Sequence, residues 1–317
     1  LSGLVKVVLF FGQSGFSLGL SEPALQIWFI LAYVGLITWL IRPPHRPRLL
    51  WGAASAGLLC AALLIAILPA AHSVQVDWLD VGSGQCVLLQ DGKSSVLLDC
   101  GGDRAAETAA EALSGANLAA ADILILSHTD SDHSAGVAKL ISEGRIRHLV
   151  LSATAEEDET GAAIIAAARD ANIPVTVLRQ DLTLSLPNGT LTLFAADPDS
   201  EQPCITALLS AHGTDVFFAA DISTEDELRL LRRGAIPDLD VLTVAHHGSK
   251  YGTSALFLSA AMPEEAIISV GENAYGHPHP DTLSRLISAG ADVHTTLSDG
   301  RLRLSIRKGS YTLRPVS

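Results

Sequence analysis

Cysteine is scarce, four in 317 residues, too few for a disulfide scaffold. Aromatic residues make up only 5% and charged residues 17%, yet 48% of the chain is hydrophobic and mean hydropathy is +0.34. The apolar content excludes a disordered chain. Acids are almost missing from the first 72 residues, where Glu22 faces four cations (Lys6, Arg42, Arg46, Arg48) for a net charge of +3. The other 17 Lys and Arg and 33 Asp and Glu lie in residues 73–317 and give −16. Such asymmetry predicts two regions in different solvents, 1–72 and 73–317.

Two stretches lack charge altogether. Residues 24–41 (ALQIWFILAYVGLITWLI) and 49–68 (LLWGAASAGLLCAALLIAIL) are each long enough to cross about 30 Å of hydrocarbon as a helix. The seven residues between them carry three arginines, which places this loop in the cytoplasm and residue 70 onward on the other side. The chain opens Leu1-Ser2-Gly3-Leu4, and we expect it to be the C-terminal part of a larger membrane protein.

From Val74 the pattern changes to short β-rich runs separated by Gly and Asp, later interleaved with helical segments. Strands are predicted over 74–79, 86–90, 95–99, 122–126, 175–178, 182–186, 190–195, 205–209, 216–219, 241–245 and 266–270, with further strands at the C-terminal end. Helices are predicted over 104–113, 135–142, 161–170, 224–232, 254–261 and 281–289. This alternation predicts an α/β fold of two packed sheets with helices outside.

The densest chemistry is His128-Thr-Asp130-Ser-Asp132-His133, directly after the apolar run DILIL. In an extended loop, alternate residues point the same way, so His128, Asp130 and Asp132 converge with His133 beside them. Two like charges at Asp130 and Asp132 repel unless a cation lies between them, and imidazole with carboxylate suits Zn²⁺, Mn²⁺ or Fe. The plainer alternative is a polar surface turn. Further ligand-type residues end predicted strands: Asp99 after VLL, Asp221 after FFAA, His246-His247-Gly-Ser after VLTVA. His277-Pro-His279-Pro precedes a helix. Strand ends are where α/β sites gather.

The order Asp99, HTDSDH, Asp221, His246/His247 resembles the metallo-β-lactamase fold. With the opening LDVGSGQC (79–86), AHHGS and GHPHP, it resembles the C-terminal domain of the ComEC family of DNA-uptake proteins, in which membrane helices precede this domain. The resemblance implies an αββα metallo-β-lactamase-like sandwich after an α-helical transmembrane hairpin. It implies two divalent metal ions, Zn or Mn. His128 and Asp130 would hold one, Asp132, His133 and His247 the other, and Asp221 would bridge them. Asp99 would fix the loop by hydrogen bonds, and His246 or His279 would protonate a leaving oxygen. Cys204 stands nearest to the family's third ligand, and is read either as a ligand or as a buried thiol filling space. The first loop departs from the family at Ser83, Gln85 and Cys86.

The implied role is a nuclease attached to a DNA channel in the bacterial inner membrane, cutting one strand of incoming DNA. Its metal domain would lie on the periplasmic or extracellular side, beside other parts of the uptake machinery. A charge of −16 leaves only local DNA contacts: Lys250 beside HHGS, or Arg301, Arg303 and Arg307 on alternate positions of a predicted strand. The same centre also suits a small-molecule metallohydrolase of esters, lactones or phosphodiesters. A degenerate centre would leave a non-enzymatic gating domain.

Overall fold

Residues 73–316 are described by a computed structural model of the chain. The expected membrane hairpin (24–41 and 49–68) lies outside them, and no helix within them is long and apolar enough to cross a membrane. The described residues begin with three antiparallel strands, β1 (Val74–Trp78), β2 (Val87–Asp91) and β3 (Ser94–Leu98). Gly92, at φ +61°, supplies the reversal between β2 and β3. Parallel strands follow through helical crossovers: α1 (Ala105–Gly115), β4 (Ile123–Leu126), α2 (Ser131–Ser134), α3 (Val137–Ser142), β5 (Leu149–Ser152), α4 (Glu159–Asp170) and β6 (Val175–Leu178).

An antiparallel meander then opens a second sheet, with β7 (Leu182–Leu186), β8 (Gly189–Phe194), β9 (Thr206–Ala211) and β10 (Thr214–Phe218). It continues in parallel through α5 (Thr224–Arg232), β11 (Val241–Thr243), α6 (Ala255–Ala261), β12 (Glu265–Ile268), α7 (Pro280–Ala289) and β13 (Asp292–Thr295). After α8 (Thr296–Asp299), β14 (Leu302–Arg307) and β15 (Ser310–Pro315) return to the first sheet. The sheet orders are β15-β14-β1-β2-β3-β4-β5-β6 and β13-β12-β11-β10-β9-β8-β7.

Strand periodicity assigns the core. Val76, Trp78, Leu89 and Val96 point between the sheets against Leu191, Leu209 and Val216. Their neighbours Leu88, Leu97 and Leu124 point the other way, against Leu113, Leu140 and Ile164 of the helices. Phe217, Leu242 and Ile268 do the same for Leu230, Phe257 and Leu286. The layers are therefore α, β, β, α, as the sequence predicts. Within this sandwich Trp78 Nε1 donates to Thr243 Oγ1 across the sheets at 2.8 Å.

Candidate metal centre

The centre forms where parallel strands of both sheets end. After β3 the chain turns at Asp99, which takes φ +59° and is 1% exposed. Its carboxylate accepts from Ser127 N (2.7 Å), Ser127 Oγ (2.9 Å) and Gln85 Nε2 (2.9 Å). It also accepts from His133 Nδ1 (2.8 Å). The 128–133 loop is thereby tied to the end of β3. Gly101 completes the fit: a Cβ there would lie 1.9 Å from the Asp132 carbonyl, so no side chain is tolerated. The loop is extended only through Asp130 (ψ 149°) and then closes into α2. Asp132 and His133 thus reach the centre from a helical turn, whereas the sequence predicts an extended loop.

The second sheet supplies Asp221, just after β10, and His246 and His247 in the turn after β11. Ala220, His246 and His247 all have positive φ (+47°, +50°, +51°). With Asp99, four non-glycine residues at the centre hold this unfavourable conformation, a concentration of strain characteristic of functional sites. His247 Nδ1 donates to Ser269 O at 2.7 Å, just past β12.

Those anchors set the tautomers. His133 and His247 each carry a hydrogen on Nδ1, which turns both Nε2 atoms toward one point, 3.2 Å apart. Asp221 Oδ1 lies 3.0 Å from His133 Nε2, and Asp132 Oδ2 lies 3.4 Å from His247 Nε2. Asp221 Oδ2 lies 3.8 Å from His128 Nε2 and 3.7 Å from His246 Nε2. Ligand atoms of Asp132, His133, Asp221 and His247 all fall within 4.8 Å of one another, as do those of His128, Asp130 and Asp132. His128 Nε2 and Asp221 Oδ1 are buried without a hydrogen-bond partner. Facing lone pairs and orphaned acceptors require a cation, either a proton or a metal ion.

The electrostatics agree. Burial opposes charge on His133, but Asp221 and Asp99 outweigh it and hold the imidazolium well above the usual histidine range. Burial likewise opposes ionisation of Asp221, and His133, His247 and His128 overturn it, so the carboxylate stays charged far below its usual range. Burial and then His133 lower His128, favouring the neutral imidazole that ligates metals. The His247 ring, its Nε2 3.4 Å away, holds Asp132 below the usual carboxylate range. This N/O donor set fits a divalent ion such as Zn²⁺ or Mn²⁺.

Other predicted positions fare differently. His279 caps α7, its Nδ1 accepting from Asp281 N at 3.2 Å. The histidine of that stretch beside the centre is His277, its ring 5.8 Å from that of His246. Burial, then Asp221, pushes the Cys204 thiol well up, and the two ligand groups do not include it, which matches a space-filling thiol. Lys250 Nζ lies 4.9 Å above the Tyr251 ring. The arginine stripe is partly engaged within the fold. Arg303 binds the wholly buried Asp77 through Nε (2.6 Å) and Nη2 (3.0 Å), and Arg301 binds it through Nη2 (2.8 Å). These two arginines neutralise a core carboxylate; Arg307 alone of the three is exposed. Gln85 and Ser127, absent from the sequence reading of the site, are the donors that hold Asp99.

The chain is 25% identical over 327 residues to ComE operon protein 3 of Bacillus subtilis (strain 168), covering 95% of this chain and 42% of that protein. It is 30% identical over 233 residues to Competence protein ComA of Neisseria gonorrhoeae, covering 73% of this chain and 32% of that protein. These relatives bear out the resemblance to the ComEC family, and the chain spans less than half of their length. The crystal structure of the metallo-beta-lactamase fold protein YhfI from Bacillus subtilis superposes with a TM-score of 0.50 at 16% identity, over 76% of this chain and 99% of that one, and supports the fold alone. The Metallo-beta-lactamase superfamily profile matches residues 79–272, a span that holds Asp99, the 128–133 run, Asp221 and His247. The chain belongs to the metallo-beta-lactamase superfamily.

Proposed function

We propose that residues 73–317 form a metal-dependent nuclease that hydrolyses one strand of incoming DNA beside a channel in the bacterial inner membrane. The observation that carries this reading is the pair of ligand groups sharing Asp132, with Asp221 set among four imidazoles. His128 and Asp130 would hold one divalent ion, Asp132, His133 and His247 a second, and Asp221 would serve both. Bound there, such ions supply Lewis acidity and a water nucleophile at neutral pH.

The remaining work falls to the chain. Asp99 keeps the hydrogen of His133 on Nδ1 and so keeps Nε2 free. Ser269 O does the same for His247. His246 is partly exposed and rests on Asp221 only through Oδ2, leaving its ring able to deliver a proton to a leaving oxygen. His277 shares that side of the centre and suits this role better than His279, which caps a helix. The name of one relative, Competence protein ComA, supports DNA as the partner. The bilayer and other uptake components complete the proposed setting, with the metal domain outside the cytoplasm.

The 317-residue chain in detergent, supplied with Mn²⁺, is expected to cleave single-stranded DNA and to leave a panel of small esters and lactones intact. Ester hydrolysis without DNA cleavage would replace the nuclease with a small-molecule hydrolase. Failure to bind Mn²⁺ or Zn²⁺ would leave a non-enzymatic gating domain.

A further inference from the structure

We infer that Tyr275, together with Tyr251, forms a stacking platform that seats unpaired nucleobases beside the metal centre; the inference rests on the nuclease reading above. Tyr275 is 82% exposed and Tyr251 69%, large rings held in water on the loops that carry His277 and His247. A chain of rings joins Tyr275 to the centre. It lies 6.1 Å from His277 at an interplanar angle of 35°, and His277 lies 5.8 Å from His246, which reaches Asp221.

Both tyrosines sit on loops fixed in place. Asn273 Oδ1 accepts from the backbone N–H of Tyr275 and of His277, each at 3.1 Å, and its Nδ2 donates to Gly271 O and His277 O. The Tyr251 loop is held by Arg285, which donates to the carbonyls of Thr253 and Gly252 at 2.9 Å each. The two loops are bound together, His279 N–H donating to Gly248 O at 2.8 Å. Lys250 stands over the Tyr251 ring.

Charge decides what such rings recognise. A region carrying −16 repels a polyanion at long range, so affinity near the centre has to come from a contact that ignores charge. Stacking of bases on rigid aromatic rings is such a contact, and it needs unpaired bases. Two separate exposed rings, on the loops that carry His247 and His277, suit individual bases rather than a protein, which binds a continuous apolar patch.

The test uses a 15-residue oligodeoxythymidylate carrying one 2-aminopurine, mixed by stopped flow with the 317-residue chain in detergent and Mn²⁺. Fluorescence quenching is read before turnover. Quenching with the unaltered chain, lost on Tyr275→Ala and kept by Tyr275→Phe, is the expected result. Tyr251→Ala combined with Tyr275→Ala should weaken binding at least tenfold. An abasic oligomer of the same length should bind as weakly to the unaltered chain as the base-bearing one does to that double variant. If the unaltered chain binds and cuts DNA while both variants quench and bind like it, the platform is refuted and the nuclease reading stands. If the unaltered chain neither binds nor cuts the oligomer, both fall together.

Discussion

Asp77 and Asp221 are both buried carboxylates, 0% and 4% exposed, and their surroundings are built in opposite ways. Both oxygens of Asp77 are taken by guanidinium groups on and just before a neighbouring strand, which bring permanent positive charge and fixed hydrogens. Asp221 faces imidazoles whose nitrogens point their lone pairs at the same space, and its Oδ1 receives no hydrogen. The first cluster is closed: nothing further is needed to neutralise it. The second is a donor set that requires a cation. Buried charge therefore marks function by what it leaves over, rather than by its presence.

This contrast is open to direct attack. Asp221→Asn should lower metal affinity at least 100-fold, measured by elemental analysis and metal titration, with the far-ultraviolet circular dichroism spectrum retained. Full metal content in that variant would make the two clusters alike after all. Asp77→Ala should do the reverse: about 3 kcal/mol of stability lost in urea denaturation, since two part-buried arginines lose their partner, and metal affinity unchanged. Loss of metal together with stability would mean that the centre depends on the outer face of the first sheet.

Asp99→Asn sharpens the comparison at its edge. Asparagine tolerates the left-handed backbone at this position but removes the charge that fixes His133. Metal affinity should fall about tenfold, the effect expected of a group that orients a ligand without touching the ion. A drop as large as that of Asp221→Asn would make Asp99 a ligand itself. The smallest effect belongs to Cys204→Ala, about 1 kcal/mol of stability from lost packing, with metal stoichiometry intact. A lowered stoichiometry would give the thiol the ligand role that its buried, neutral state argues against.

Much of this is legible in the sequence because it follows from chain-local chemistry. Runs of alternating or continuous apolar residues bounded by Gly and Asp predict most strands, and the ligand residues stand at their ends. Two strands escape that reading. Leu149–Ser152 is four residues long and buried on both faces, so it shows no alternation, and Asp292–Thr295 is polar at three of four positions. What the sequence does not show within the site is mostly set by partners distant in sequence. Asp77 lies more than 220 residues from the arginines it binds, so their alternating pattern looks like a free basic stripe. In GHPHP the two histidines are equivalent in sequence, and only packing against the His246 turn separates His277 from the helix cap at His279. Gln85, a departure from the family's first loop, proves to be a donor to Asp99, which a sequence comparison alone presents as a loss.

The ligand residues are divided between the two halves of the sandwich: Asp132 and His133 follow a strand of the eight-stranded sheet, Asp221 and His247 follow strands of the seven-stranded one. Neither half assembles the four-membered group by itself. Ion binding and the docking of the sheets are then thermodynamically linked, each favouring the other by the same coupling energy. At a free ion concentration 100 times the dissociation constant, the folded domain gains about 2.7 kcal/mol, and its melting temperature becomes a titration curve for the metal. A cell that withholds the ion would thus hold a looser domain, turning metal supply into a control on how long the protein survives proteolysis.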